Sequence, residues 1–175
     1  INVLVSEEYL IFPILKKFNT LYLWEKDNFW YDSLLQEYDQ QSLLKLFFPE
    51  KSHLNKFKIT PRDLINENFL KVEKFLNFYK KKKALILFLE EDFNSNQNKF
   101  KSKLITKVFS NSTFKEINLL NDEMKYDNSD FSLLELIAKD VIIELENWWK
   151  NKIDDFEITQ DKRFEFDILI KTDDL

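Results

Sequence analysis

With 175 residues, of which 44% are hydrophobic and 33% charged, the chain is long enough to bury one core and too short for two full domains. Its 26 basic and 31 acidic residues are mixed along the sequence, and the net charge of −5 argues against non-specific binding to nucleic acid or anionic lipid. The sequence contains neither cysteine nor glycine, which excludes disulfides, cysteine nucleophiles, glycine-dependent phosphate loops and serine-hydrolase elbows.

The first third of the chain is predicted to hold three strands and one short helix. The predicted elements are strands over residues 9–15, 20–24 and 43–48, and a helix from Asp27 to about Tyr38. Proline has no N–H for a sheet ladder, so Pro13 indicates that the first strand lies at a sheet edge or ends early. Pro49 ends the third strand.

The middle of the chain predicts a helix followed by a buried strand. Thr60 is a suitable N-cap and Pro61 fits a first helical turn. The apolar face of the predicted helix is formed by Ile65, Phe69, Val72, Leu76 and Tyr79. The unbroken apolar run over residues 84–89 comes next and is typical of a parallel strand covered on both faces. We therefore expect residues 84–89 to be the central strand.

The last part of the chain predicts a hairpin, a long helix and a final half-buried strand over residues 164–170, where apolar and charged residues alternate. Alternating residues over 101–109 and 113–120 predict an antiparallel hairpin that turns at residues 110–112. A helix over residues 129–150 is expected to bury one broad apolar face, whereas Leu136 and Ile143 lie on its opposite side. These two side chains suggest a second cover, from a missing segment or a partner.

These elements predict the α/β class. We expect residues 1–175 to form a single three-layer domain with a mixed sheet, in which parallel strands occupy the centre and an antiparallel hairpin lies beside them. The first residue is Ile1 rather than methionine, and the chain ends just after a predicted strand. We therefore expect the chain to be a fragment of a longer protein.

Four carboxylates are candidates for binding a divalent cation. Glu90 and Asp92 follow the predicted central strand, at the end where parallel sheets commonly bind ligands. Glu165 and Asp167 share one side of a predicted strand, a pattern similar to the metal-binding strand of restriction-type nucleases. One hypothesis is therefore a metal-dependent hydrolase, for example a nuclease. The favoured interpretation is that all four residues are solvated side chains at a strand end and on the solvent face of a strand.

Aromatic residues around Asn28 are candidates for binding a partner. Trp24, Trp30 and Tyr31 lie close together in sequence and could form an exposed platform, although core packing is the favoured interpretation because aromatic side chains are usually buried. His53 is the one histidine of the chain, and no motif supplies partners for a catalytic triad, so a surface position is expected.

Several short motifs resemble a known family. They are Phe12-Pro13-Ile14-Leu15, Leu23-Trp24-x3-Asn28-x-Trp30, Phe47-Phe48-Pro49, the strand over residues 84–91, and Trp149-Lys150. Their order over residues 9–150 resembles the proteobacterial envelope family known as domain of unknown function 2066. The chain has Glu50-Lys51 where the family pattern has Gly-Asp. The resemblance implies an exported, periplasmic protein with a signal peptide and a further carboxyl-terminal region, and it transfers no catalytic residues.

The resulting expectation is a non-enzymatic binding or assembly module of the bacterial envelope that contacts a protein partner and uses no cofactor. The contact candidates are Trp24, Asn28, Trp30, Leu136 and Ile143. No nucleic-acid partner is expected because of the net charge. No membrane insertion of this segment is expected either, because no apolar run approaches the roughly 18 residues of a spanning helix.

Overall fold

The computed structural model of the protein describes residues 8–96, 99–120, 124–126 and 133–153. The strands in chain order are β1 (Glu8–Lys17), β2 (Thr20–Tyr22), β3 (Lys45–Phe47), β4 (Lys83–Asn94), β5 (Lys99–Ser110), β6 (Thr113–Ile117) and β7 (Met124–Tyr126). The helices are α1 (Phe29–Glu37), α2 (His53–Lys58), α3 (Pro61–Ile65), α4 (Phe69–Phe78) and α5, which covers residues 133–153. Among these residues, no helix combines the length and the apolar character needed to cross a bilayer.

The strands form one mixed sheet whose order is β2-β1-β4-β5-β6. β1 and β4 run parallel at its centre, with Tyr9 opposite Lys83 and Lys17 opposite Glu91. β5 is antiparallel to β4, and β6 is antiparallel to β5. β3 pairs in parallel with the start of β1, and β7 pairs with the start of β5. The predicted α/β class, with a parallel centre and an antiparallel hairpin, is confirmed.

Two hydrophobic cores lie on opposite faces of the sheet because alternate side chains of each strand point to opposite sides. In the first core, Leu85, Leu87 and Leu89 of β4 pack with the buried faces of α1 and α5. In the second core, Ile86 and Phe88 of the same strand pack with α3 and α4. The prediction of a central strand covered on both sides is therefore confirmed, and β4 extends beyond the predicted residues 84–89.

Two hairpin turns are built without glycine. Phe18 and Asn19 link β1 to β2, and Asn111 and Ser112 link β5 to β6; all four have φ between 50° and 61°. Two successive residues with positive φ are the requirement of a type I′ turn, whose twist matches that of the flanking strands. The predicted hairpin with its turn at residues 110–112 is thus confirmed.

The prediction that Pro13 places β1 at an edge or ends it early is wrong, because β1 continues to Lys17 with β4 paired along Tyr9–Lys17, and other strands pair on its opposite side. On its other side β1 pairs with β3 through Glu8–Leu10 and with β2 through Leu15–Lys17. Pro13 lies in the gap between these two short ladders, where a missing N–H removes no strand pairing.

The helix predicted from Thr60 to Tyr79 is two helices. Thr60 caps α3 as predicted, and its capping box includes Asp63. Glu67 then takes a positive φ of 55°, and Asn68 caps a new helix, α4. This break changes which side chains point inward, so Phe69 is exposed and Phe75 is buried instead. The sequence also did not predict α2, which follows β3 and lies beside α4.

Candidate functional site

Hydrogen bonds hold α2 against the rest of the protein at both of its ends. At the first end, the Ser52 hydroxyl accepts a hydrogen bond from the backbone N–H of Asn55 at 3.2 Å. The buried Asn55 amide donates to the Glu50 carbonyl at 2.8 Å and accepts from the Tyr79 hydroxyl at 2.7 Å. At the other end, the Ile59 carbonyl accepts a hydrogen bond from the Trp24 indole at 3.0 Å. The position of α2 beside α4 is therefore fixed by buried polar contacts.

Aromatic packing holds α4 in the same way. Phe75 is buried, and its ring centroid lies 5.3 Å from that of Phe12 and 5.6 Å from that of Trp24. The edge of Tyr79 meets the ring of Phe78, with centroids 5.0 Å apart. Contacts of this type add about 0.5–1.5 kcal/mol to the burial of the rings. The inner side of α4 is thus rigidly packed.

A groove of about 420 Å³ lies between α2 and α4. Its lining residues are Phe57, Lys58, Lys71, Lys74, Phe75 and Phe78. Phe75 contributes a buried base, whereas Phe57 is 89% exposed and Phe78 is 55% exposed. The volume falls within the range of small-molecule and side-chain binding pockets. Two large aromatic side chains therefore remain largely in solvent beside a concave surface.

Further apolar side chains on the same helices extend this surface. Leu54 is exposed on α2, one turn before Phe57 and Lys58. Leu70 is exposed on α4, one turn before Lys74 and two turns before Phe78. Residues three or four apart on a helix are neighbours on its surface. The exposed aromatic pair is therefore part of an apolar surface that both helices share.

The groove is also basic. The Lys71 ammonium forms an ion pair with Asp63 at 3.2 Å. Burial by itself would raise the Asp63 pKa, but hydrogen bonds from Thr60 and the contact with Lys71 lower it overall. The Lys58 ammonium lies over the Phe78 ring, and partial desolvation lowers the Lys58 pKa. In the part of the chain that the structure describes, neither Lys58 nor Lys74 has an ion-pair partner.

The expected platform around Asn28 is not exposed. Trp30 and Asn28 are fully buried and Trp24 is nearly so. The Trp30 indole donates to the Leu87 carbonyl at 3.1 Å, and the Asn28 amide donates to the carbonyls of Pro13 and Leu23. Trp24, Asn28 and Trp30 are therefore wrong as contact candidates, and the favoured interpretation, core packing, is confirmed, because these side chains are buried and their polar atoms are paired there. Trp24 instead stacks on the inner side of Phe75, which forms the base of the groove.

Leu136 and Ile143 are exposed on α5, as the helical pattern predicts. They lie seven residues apart, on the side opposite the face that packs in the first core. Their role in contacting a partner remains a prediction.

His53 is exposed at the start of α2, which agrees with the expected surface position.

The candidate metal-binding carboxylates that the structure describes, Glu90 and Asp92, lie opposite lysines of the neighbouring strands. Glu90 is opposite Lys103 of β5 and Lys16 of β1, and Asp92 is opposite Lys101. No group of three histidine, aspartate or glutamate residues in the described ranges is arranged to hold a metal ion. Glu165 and Asp167 lie outside the described residues. The hydrolase hypothesis therefore gains no support from the described carboxylates.

The sequence interpretation missed the groove itself. Its weak signals were Ser52, an N-cap residue at the start of a short polar segment, and Phe57, an aromatic residue between two lysines. No protein-family model, curated protein or solved structure matches the chain. The fold and the geometry of the groove are therefore the observations from which a function is proposed.

Proposed function

We propose that the chain is a non-enzymatic binding or assembly module that docks a protein partner in the groove between α2 and α4. The observation that carries the proposal is the pair Phe57 and Phe78, which remain exposed beside a concave surface with a buried aromatic base. Exposed aromatic residues around a pocket are typical of protein contact sites.

The free energy gained when a partner buries this surface is large enough for a specific interface. Transferring a phenylalanine side chain from water to an apolar contact contributes about 1.5–3 kcal/mol. Phe57 and Phe78 are therefore suitable anchors at the centre of an interface, where a few side chains supply most of the binding energy. The lysines at the rim orient the partner and accelerate its association.

The rigidity of the groove supports the same proposal. Asn55 ties α2 to Tyr79, and Trp24 connects the end of α2 to the packed ring of Phe75. A surface that is already ordered before binding loses less conformational entropy when the partner arrives. The groove thus needs no rearrangement to receive a partner.

The first experiment replaces both anchors. The unsubstituted full-length protein is used as bait to capture proteins from its native envelope. We expect the double variant Phe57→Ser/Phe78→Ser to fail to capture those proteins. Phe18→Ser is the matched control, because Phe18 is 69% exposed but lies in the β1–β2 turn. Thermal unfolding of each variant checks that the fold is intact. Equal capture by the double variant and the control would contradict the proposal.

The envelope location is a separate part of the proposal. It is supported by the resemblance of residues 9–150 to the proteobacterial envelope family described above, and by no other observation. Fractionation of cells that express the full-length gene is the direct test. A cytoplasmic protein without a signal peptide would remove the envelope from the proposal and leave the groove as a binding site.

A further inference from the structure

The groove between α2 and α4 carries a local excess of positive charge on a chain whose net charge is −5. Lys58, Lys71 and Lys74 line it, and Asp63 is the carboxylate that pairs with one of them, Lys71. Two cationic side chains are thus left to pair with a ligand. Because the rest of the molecule is acidic, an anionic ligand is attracted to this surface rather than to the chain in general.

The same groove has an apolar interior. Phe75 forms its base, and Phe57 and Phe78 stand beside it. A ligand that satisfies both properties must carry an apolar side chain for the interior and carboxylates for the rim.

We infer that the occupant is a short acidic segment of the partner protein with an aromatic or leucine side chain as its anchor, an inference that rests on the proposed function. The anchor packs between Phe57 and Phe78 above Phe75. Carboxylates on either side of the anchor pair with Lys58 and Lys74.

Two other classes of macromolecule fit the groove less well. Single-stranded nucleic acid binds through base stacking on free aromatic faces, but the Lys58 ammonium already covers one face of Phe78. A bilayer takes up apolar side chains that project from a protein, and its flat surface does not fill a concave space of about 420 Å³.

The first test selects ligands from a random peptide library displayed on phage, with the chain as bait. Peptides that bind the unsubstituted chain but not Phe57→Ser/Phe78→Ser define the ligands of the groove. We expect them to be rich in aspartate and glutamate around one aromatic or leucine residue. An empty selection, or a set of neutral or basic peptides, would overturn the inference.

The second test measures the affinity of a selected peptide by fluorescence anisotropy. We expect Lys58→Gln/Lys74→Gln to weaken binding about tenfold and to reduce its dependence on salt. The control is Lys103→Gln/Lys115→Gln, which removes the same charge from exposed positions in β5 and β6. Equal weakening by both double variants would show that only net charge matters and would overturn the inference.

The outcomes separate this inference from the proposed function. If the groove selects neutral peptides while Phe57→Ser/Phe78→Ser still abolishes envelope capture, the acidic ligand is excluded and the binding module remains. A single-stranded oligonucleotide, or vesicles of phosphatidylglycerol, that bind through Lys58 and Lys74 would exclude the peptide. Concentration-dependent dimers that disappear in the phenylalanine variant would identify a second copy of the chain as the occupant and also overturn the inference.

Discussion

Glu91 is a partly desolvated carboxylate at the carboxyl end of the central parallel strands. It lies opposite Lys17 of β1, with the ammonium and carboxylate 3.9 Å apart, and opposite Ser102 of β5. Burial raises the Glu91 pKa above its ordinary value of 4.5, and Lys17 reduces this effect only in part. The folded chain therefore binds this proton more tightly than the unfolded chain does. As a result, the contribution of Glu91 to the free energy of unfolding falls as the pH rises from about 4.5 through its raised folded pKa.

Glu91→Gln is expected to stabilise the protein at neutral pH. Glutamine resembles the protonated carboxyl and avoids the desolvation of a charge, whereas the lost ion pair with Lys17 contributes at most about 1 kcal/mol. Chemical unfolding at pH 7 should give a larger free energy of unfolding for the variant than for the unsubstituted chain. The difference should disappear as the pH falls below about 4, where the glutamate is protonated in both states.

Glu90→Gln is the matched control because Glu90 is the adjacent residue and points to the opposite face of β4. We expect no comparable gain in the free energy of unfolding from it at pH 7. A Glu91→Gln variant that is less stable at pH 7 would show that the contact with Lys17 outweighs the desolvation of the carboxylate.

At the scale of elements, Asn28 joins α1 to the sheet. Its side-chain oxygen caps α1 by accepting a hydrogen bond from the backbone N–H of Tyr31, and its amide donates to Pro13 and Leu23. The carbonyl of Pro13 faces the gap between β2 and β3, where no strand pairs with β1. One buried side chain thus satisfies the groups that this gap leaves open.

Asn28→Ala is expected to reduce the free energy of unfolding by about 3 kcal/mol. Loss of the cap contributes about 1 kcal/mol, and each buried carbonyl left without a partner adds about 1 kcal/mol or more. Urea unfolding followed by circular dichroism measures the change.

Asn68→Ala measures the contribution of a helix cap alone, without the two buried hydrogen bonds that Asn28 also makes. Asn68 caps α4 with nearly the same backbone angles, φ −75° and ψ 86° against φ −74° and ψ 83° at Asn28. Its side chain accepts one hydrogen bond, from Lys71, at an exposed position. We expect a loss of about 1 kcal/mol. Equal losses in the two variants would mean that the bonds to Pro13 and Leu23 contribute little.

The helical elements also show where local patterns are insufficient. Thr60, Pro61 and Asp63 predict the start of α3 because the cap is formed by neighbours in sequence. The break at Glu67 was not predicted, since a stripe of apolar residues continues through it and only packing on the sheet decides the phase of α4. Phe69, which the predicted apolar face included, is therefore exposed, and Phe75, which it did not include, is buried.

At the scale of the whole molecule, the two functional hypotheses differ in their response to divalent cations. Any ligand that binds only the folded state raises the free energy of unfolding and therefore the melting temperature. At a ligand concentration a hundred times the Kd, the free energy of unfolding increases by about 2.7 kcal/mol. Glu90 and Asp92 lie opposite lysines of the neighbouring strands, and these lysines compete with a cation for the carboxylates. We expect Mg²⁺ and Mn²⁺ to change the melting temperature by less than about 1 °C.

Thermal scans with each metal, and with a chelator as control, provide the measurement. A metal-dependent rise that disappears in Glu90→Gln/Glu165→Gln would contradict this expectation and favour the hydrolase. Because Glu165 lies outside the described residues, this experiment also tests the part of the proposed metal site that the described strands do not include.

The sequence by itself determined which side chains must leave water. The unbroken run over residues 84–89 can be stable only with both faces covered, and the alternation in β5 requires one solvated face. Positions 18–19 and 111–112 lie between strand patterns and became tight turns without glycine. These features were predictable because they depend on neighbours in the chain and on the period of the pattern.

Only the tertiary structure decided what covers those side chains and what remains exposed. The burial of Trp24 and Trp30 depends on carbonyls 35 and 57 residues away, at Ile59 and Leu87. The groove depends on α2 lying beside α4, which is set by the contact of Asn55 with Tyr79. Burial of an aromatic residue is favourable wherever an apolar partner is available, so periodicity cannot specify which aromatic residues remain in solvent.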